Sequence, residues 1–399
     1  IDTDYEKFYG TFDPAFFRDL LKHVGLPEAL ADMTYFMYTR IRRRFRIGQH
    51  LGQPFVSTRG AGQGDTLSTI GALVVTSVQF RVVHHHHPTV KTGSIIDDRN
   101  FRGRRQDVVA AVRTALEYDA MAGLVNNLPK FTALSNQQEA RDALRNTEFN
   151  GHRIKVALQD TLGGVTINAK RAPTCQKQDE RLRSCIATGI ATYYTKVEKA
   201  LKVHAYAAAA IAKATYGNLW SLPSRNVLAT ARTQALKIIW GGSRAMRSPE
   251  VVLAILSNCV RVDPQSAIIY RALCDSRRIL AKHPDRFARL YRNIILAQDG
   301  QIPGVQGPAH GILRLCHLCG CECSLHDGHI IFTSTHTNAV LNFLQDDEAY
   351  FRRTVRDFLQ QKLLADLAQR IHKPHDTDDN RSARKDLQGI TPLVDYNAT

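Results

Sequence analysis

The chain has 399 residues, 44% of them apolar, and 53 Lys plus Arg against 37 Asp plus Glu give a formal net charge of +16. The apolar share excludes an unstructured polyelectrolyte, the length admits two or three domains, and the basic excess suits a polyanionic partner such as nucleic acid. No secretory signal opens the chain and no apolar run approaches the roughly 20 residues that span a bilayer, so no membrane partner is expected.

IDTDYEKFYG opens with the end of a strand. Asp13-Pro14 then supplies an N-cap and a proline at the first helical position. Phe16, Phe17, Leu20, Leu21 and Val24 follow at helical spacing, and Gly25 stops that helix. A second helical stretch starts near Pro27 and ends in TRIRRRFRIG, whose Arg40, Arg42, Arg43, Arg44 and Arg46 form the densest positive cluster. Such a run is either a solvated face or a phosphate-facing surface. STRGAGQGDTLS at 57–68 is a Gly-rich loop leading into a long apolar helix, TIGALVVTSVQFRVV reading as buried. HHHHP at 84–88 reads as an exposed turn rather than a metal site, because Pro88 follows and no partner ligands are spaced nearby. Residues 90–102 read as a tight β-hairpin with Asp97 and Asp98 at its tip. RRQDVVAAVRTALEYDAMAGL is an amphipathic helix with Val108, Val112, Ala115 and Leu116 on one face.

Beyond about residue 170 the pattern is almost wholly helical. Lys196, Lys199 and Lys202 sit three apart, a helical stripe that tracks a phosphate backbone or is a plain solvated face. GQIPGVQGPAHG at 300–311 is a linker, a last helix lies near 346–371, and a polar tail follows from about Lys373. Four of the eight cysteines crowd into CHLCGCEC at 316–323, a metal-type spacing in a reducing compartment rather than a disulfide framework.

Adjacent aspartates at a strand end repel, so Asp97 and Asp98 need either solvent or a divalent cation. An acidic turn is the common answer for an arbitrary pair. Here Asp4 at a first strand end and the loop GAGQGDTLS precede the pair in order. The ordered set resembles the palm of a reverse transcriptase, closest to the non-LTR retrotransposon type. IDTDYEKFYGTFD resembles the first palm motif, with Asp4 as metal-binding aspartate and Tyr9 five residues on. RGAGQGDTLS is similar to the motif that opens the palm helix, with Gln63, Gly64, Asp65 and Ser68. SIIDDRN resembles the catalytic hairpin. GLVNNLPKF is similar to the next motif, with Gly123, Leu124, Asn127 and Lys130. ALQDTLGGVTI resembles the primer-gripping hairpin, centred on Leu162 and Gly163, and Tyr216, Gly217 and Trp220 resemble part of the thumb.

The resemblance covers about residues 1–220 and implies an α+β fold. A palm with an antiparallel sheet and packed helices would span 1–170, a helical thumb or connection 171–300, a linker and Cys/His-rich knuckle 301–345, and a helix and tail 346–399. It implies an RNA-directed DNA polymerase that adds dNTPs to a DNA primer end on an RNA template, in the nucleus, with the cytoplasm as a second location. Two Mg²⁺ ions would be held by Asp4, Asp97 and Asp98, with the main-chain oxygen of Tyr5 as a further ligand. Gln63 and Gly64, with Gly62, would approach the template and incoming base. Lys130 would serve the leaving pyrophosphate, and the ring of Tyr9 would exclude a 2′-hydroxyl. Gly10 and the Ile95-Ile96 pair depart from the family's usual residues at those places. A zinc ion would be held by Cys316, Cys319 and His329, the expected last cysteine being replaced by Cys321, Cys323 or His336. The competing reading is a catalytically inactive or domesticated palm fold that still binds nucleic acid. Because the chain opens at Ile1 and fingers would precede it, this piece is expected to polymerise weakly on its own.

Overall fold

The computed structural model describes residues 1–56, 59–62, 65–95, 98–162, 165–169, 176–217, 223–242, 248–298 and 308–372. Helices combined with small, mainly antiparallel sheets make this an α+β protein of two compact units, Ile1–Lys170 and Arg171–Thr399.

The first unit runs β1 (Asp2–Thr3), α1 (Phe8–Thr11), α2 (Pro14–His23), α3 (Glu28–Arg40), β2 (Arg42–Arg43), β3 (Arg46–Ile47), β4 (His50–Leu51), β5 (Phe55–Val56), α4 (Thr66–His86), β6 (Lys91–Ile95), β7 (Asp98–Arg102) and α5 (Arg105–Met121). It continues with β8 (Thr132–Leu134), α6 (Gln138–Arg145), β9 (Glu148–Phe149), β10 (His152–Arg153), β11 (Lys155–Ala157), β12 (Gln159–Leu162) and β13 (Val165–Asn168). Five strands form one sheet in the order β11-β8-β1-β7-β6, antiparallel except between β11 and β8. Side chains alternate across a strand, so the register fixes each face. Thr3, Arg99, Phe101 and Ala133 are buried on the face that packs with α4 and α5. Asp2, Asp98, Thr132 and Lys155 stand on the other face.

Local signals set the helices. Asp13 Oδ1 accepts from the N–H groups of Ala15 (2.8 Å) and Phe16 (3.2 Å), Pro14 occupies the first helical position, and Gly25 beyond the end has φ +93°. Val108, Val112, Ala115 and Leu116 are buried along one side of α5. Asp65 caps α4, accepting from Leu67 N at 3.4 Å and from the Tyr38 hydroxyl at 2.5 Å.

The structure corrects two readings in this unit. His84, His85 and His86 are the last turn of α4, not a loop. Pro88 disfavours helical geometry only at the residue before it, so the helix persists to His86 and His87 leaves it. The 21-residue α4 is by length and composition long and apolar enough to cross a membrane, which the sequence reading denied. Its Gly71, Ala72, Val75, Thr76, Gln79 and Val83 are nonetheless buried in the unit, with Gln79 bonded to α5. The second helix ends within TRIRRRFRIG as expected: α3 stops at Arg40, and beyond it Arg42 and Arg43 lie in β2 and Arg46 in β3, strands of a narrow ribbon.

The second unit runs α7 (Gln176–Tyr194), α8 (Lys199–Ala205), a π-helical turn (Tyr206–Ile211), α9 (Ala212–Thr215), α10 (Arg225–Ile239), α11 (Pro249–Ala254), α12 (Cys259–Val262), α13 (Pro264–Ala281), α14 (Pro284–Gln298), α15 (Pro308–Leu318), β14 (Cys321–His326), β15 (His329–Ser334), β16 (Val340–Asn342) and α16 (Glu348–His372). One apolar core joins these helices to the antiparallel β14-β15-β16 sheet through Phe332, Phe343, Phe351 and Phe358. Lys196 precedes α8, so the lysines do not form one helical stripe; Lys202 Nζ instead donates to Tyr193 O at 2.8 Å. Gly163 and Trp220 lie outside the described residues.

Candidate active site

β1 is only two residues long, yet it anchors the site. Asp2 pairs with Asn100 and Thr3 with Arg99. Continuing that register by one residue sets Asp4 across from Asp98. Both line one open cavity of about 430 Å³, with Asp2, Lys130, Lys155 and Asp160 also on its wall. Asp160 comes from the β12–β13 hairpin, whose two strands pair from Gln159↔Asn168 to Leu162↔Val165. Burial holds the Asp2 carboxyl above its ordinary range, with the charges of Asp160 and Asp98 adding to the shift.

GLVNNLPK supplies the other wall, and its local structure explains how. Gly123 adopts φ +69° after α5, letting the chain reverse. The segment then runs beside the residues after β1. Glu6 N donates to Val125 O at 2.8 Å, Tyr5 bridges to Asn126, and Asn127 N donates to Asp4 O at 2.9 Å. A 3₁₀ turn, Leu128–Lys130, brings the Lys130 ammonium to 2.8 Å from Asp4 Oδ2. A cation therefore already sits on Asp4.

Beneath this face lies a buried polar network that sequence reasoning missed. Asp119 is fully buried on α5 and accepts from the Tyr5 hydroxyl (2.8 Å), Gln79 Nε2 (2.6 Å), Arg99 Nη1 (2.8 Å) and Asn126 Nδ2 (2.9 Å). Arg99 also donates to Gln79 Oε1 (3.0 Å) and Asn126 Oδ1 (2.6 Å), and its guanidinium stands 3.7 Å from the centre of the Tyr5 ring. Each residue following a site aspartate, Tyr5 after Asp4 and Arg99 after Asp98, is thus tied to Asp119. The one available signal was an acid, Asp119, on the otherwise apolar face of α5.

The remaining candidates are distributed as follows. Tyr5 turns its side chain inward, leaving only its main chain for a ligand. Tyr9 lies in α1, is half-buried against Phe8, and is not among the groups lining the cavity. Its carbonyl accepts from Ala61 N at 2.8 Å, joining it to the loop before α4. Gly60 makes that approach possible: it has φ +90°, and a Cβ there would fall 2.7 Å from Tyr9 O. Ser68 Oγ closes the loop by donating to Gly62 O (2.8 Å) and Asp65 O (2.7 Å). Asp97, Gln63 and Gly64 lie outside the described residues. Asp4 and Asp98 offer hard carboxylate oxygens, the donor type that divalent cations such as Mg²⁺ take, on one solvent-open face, and the Lys130 ammonium rests on Asp4.

The cysteine-rich stretch is a helix end and a strand, not a closed knuckle. Cys316 ends in α15, Cys321 and Cys323 lie in β14, and the Cys316 thiol bonds with those two. His329 pairs with His326 at the hairpin turn, whereas Cys321 pairs with Ser334 at its other end. Five residue steps along the strand separate these positions by roughly 17 Å, far beyond a shared zinc shell. Cys321, one of the candidate last ligands, therefore does not share a shell with His329, since extended strand carries sequence neighbours apart. Hydrogen bonding to its neighbours raises the Cys316 thiol, and burial raises that of Cys319. Among the described residues, no group of three or more His, Cys, Asp or Glu side chains is arranged to hold a metal ion.

No protein-family model matches this chain, and neither does any curated protein.

Proposed function

We propose that the first unit is a reverse-transcriptase palm and that the chain is an RNA-directed DNA polymerase of the non-LTR retroelement type, acting on dNTPs, an RNA template and a DNA primer end. The observation that carries this reading is the β1–β7 register, which sets Asp4 opposite Asp98 on the open face of an antiparallel sheet. Asp4, Asp98 and their sequence neighbour Asp97 would hold Mg²⁺, which when bound supplies activation of the primer hydroxyl and stabilisation of the leaving pyrophosphate. Lys130 neutralises Asp4, and where a divalent ion held that carboxylate the ammonium would be placed to meet phosphate charge. The Arg99–Asp119 network fixes the main chain on both sides of the site, so the carboxylates need little reorganisation. Tyr9, joined to the Gly60–Ala61 loop, is the candidate filter for the sugar.

The test is dTTP incorporation on poly(rA)/oligo(dT) with Mg²⁺, comparing the chain, fused behind a reverse-transcriptase fingers segment, with the same fusion carrying Asp98→Ala. A fall of about a hundredfold or more supports the reading. Equal incorporation by both removes it and leaves the competing reading, a palm fold that only binds nucleic acid. The neutralised Asp4 is the observation that favours that alternative.

A further inference from the structure

Between Asp32 and Asp65 the sequence contains no acidic residue, yet it contains Arg40, Arg42, Arg43, Arg44, Arg46 and Arg59. The structure gathers the middle of this stretch into a ribbon. β2 pairs with β5 through Arg42↔Val56 and Arg43↔Phe55, and β3 pairs with β4 through Arg46↔Leu51 and Ile47↔His50. Gly48, at φ +61°, makes the two-residue turn. The pairing sums shift by one between the two halves, so Gly52–Pro54 hold one more residue than Arg44–Phe45, a bulge closed by Gly52 N donating to Phe45 O at 2.8 Å.

The ribbon displays apolar rings to solvent. Phe45 is 70% and Phe55 40% exposed, and the two rings stack with centroids 5.1 Å apart and planes 24° apart. Ile47 and Leu51 beyond them are exposed as well. Large apolar groups gathered in the open mark a binding surface. Its charge decides the occupant. A second copy of this chain would set arginine against arginine, which like-charge repulsion opposes. A polyanion meets no such penalty. Near-parallel stacked rings leave the outer face of the pair open to a nucleobase that extends the stack, whereas an anionic membrane surface makes no demand on ring orientation. A duplex hides its base faces inside the stack, so a single strand is the fitting form.

We propose that the ribbon 42–56 binds single-stranded nucleic acid, with bases stacking on Phe45 and Phe55 and the surrounding arginines contacting phosphates. Only the identification of that strand as the template rests on the polymerase reading; the binding itself does not require catalysis.

The experiment is fluorescence anisotropy of a labelled 16-nucleotide oligo(rU) and of an RNA duplex of equal length, titrated with the chain at several salt concentrations. Expected are tighter binding of the single strand, at least a fivefold loss in Phe45→Ala, and a salt slope lowered by about one in Arg44→Gln. Thermal unfolding checks that Phe45→Ala is folded. If it is not, Phe45→Trp decides: its emission should be quenched by oligo(rU) relative to the wild-type chain, and unchanged emission overturns the proposal. Equal affinities of folded Phe45→Ala and wild type, preference for the duplex, or Phe45-dependent capture by phosphatidylserine vesicles without oligo(rU) binding each overturn it too. Primer extension by Asp98→Ala is scored separately, so the polymerase reading can fail while ribbon binding stands.

Discussion

Arg99 and Asp119 form a fully buried ion pair at 2.8 Å, and each belongs to a different layer of the first unit: Arg99 to the sheet strand that begins at Asp98, Asp119 to the helix behind it. Burying two charges is costly, and the pair is tolerated because Gln79, Tyr5 and Asn126 bond to the atoms the two leave over, save Arg99 Nε, which is buried without a hydrogen-bond partner among the described residues. Removing one partner strands the other. Arg99→Met and Asp119→Leu are each expected to destabilise the unit by about 3–5 kcal/mol, and the double variant by clearly less than their sum. Urea unfolding of the four proteins measures this; strict additivity would show that the two charges are not coupled.

Lys130→Met tests the opposite situation, a pair open to solvent. The Lys130 side chain is 64% exposed, so its loss should change stability by no more than about 1 kcal/mol. It should, however, leave Asp4 without its ammonium, and Mn²⁺ should bind more tightly than to the wild-type chain. The loss of the free-ion Mn²⁺ resonance on titration reads this directly. On the polymerase reading dTTP incorporation falls in the same variant, so affinity and turnover move in opposite directions.

Gly60→Ala should lower the unfolding temperature. A side chain there would adopt an unfavourable positive φ and meet the Tyr9 carbonyl at 2.7 Å, neither of which a flexible neighbour can relieve. A cost of about 1–3 kcal/mol is expected from differential scanning calorimetry. A silent substitution would mean that the loop does not need its contact with α1.

Tyr206 connects the second core to pH. Burial pushes its phenol well above the ordinary value of 10.0. A raised folded-state value means that its stability contribution is complete below pH 10 and is lost as pH climbs toward the folded value, because the unfolded chain ionises first. Stability should therefore fall with rising pH above about 10, and Tyr206→Phe should flatten that fall. Ultraviolet titration of phenolate alongside circular dichroism would detect it. The sign fails if Tyr206 titrates in the native protein at an ordinary pH.

Cys316 and Cys319 should resist alkylation by iodoacetamide at pH 8 until the protein unfolds, because both are buried and their thiols are held protonated. Mass spectrometry of native and urea-treated chain separates the outcomes. Rapid labelling of the native protein would contradict the packing described for α15 and β14.

Local features were legible in the sequence because short-range chemistry decides them. Asp13-Pro14 and Gly25 delimit α2 with groups that meet within a few residues, and the apolar spacing of α5 follows from its own period. The hairpin of β6 and β7 was equally readable from strand residues around a two-residue connection. What escaped was set at long range. Nothing near Arg99 announces that its partner lies 20 residues on, inside a helix. The arginines after Arg40 continue a helical composition, but pairing with Phe55 and Val56 makes strands of them. His329 stands close to the cysteines in the chain and far from Cys321 in space, because six residues of strand travel further than six of helix. The four-carboxylate cavity drew Asp2 and Asp160 in through register and a hairpin, neither of which any motif had marked.

Ile95 and Asp98 form the last pair of the β6–β7 ladder, with two residues between them. Parity follows from that shortness. A slip of one residue in the pairing of β7 would exchange its sides, turning a carboxylate into the apolar interior and a guanidinium outward into the cleft.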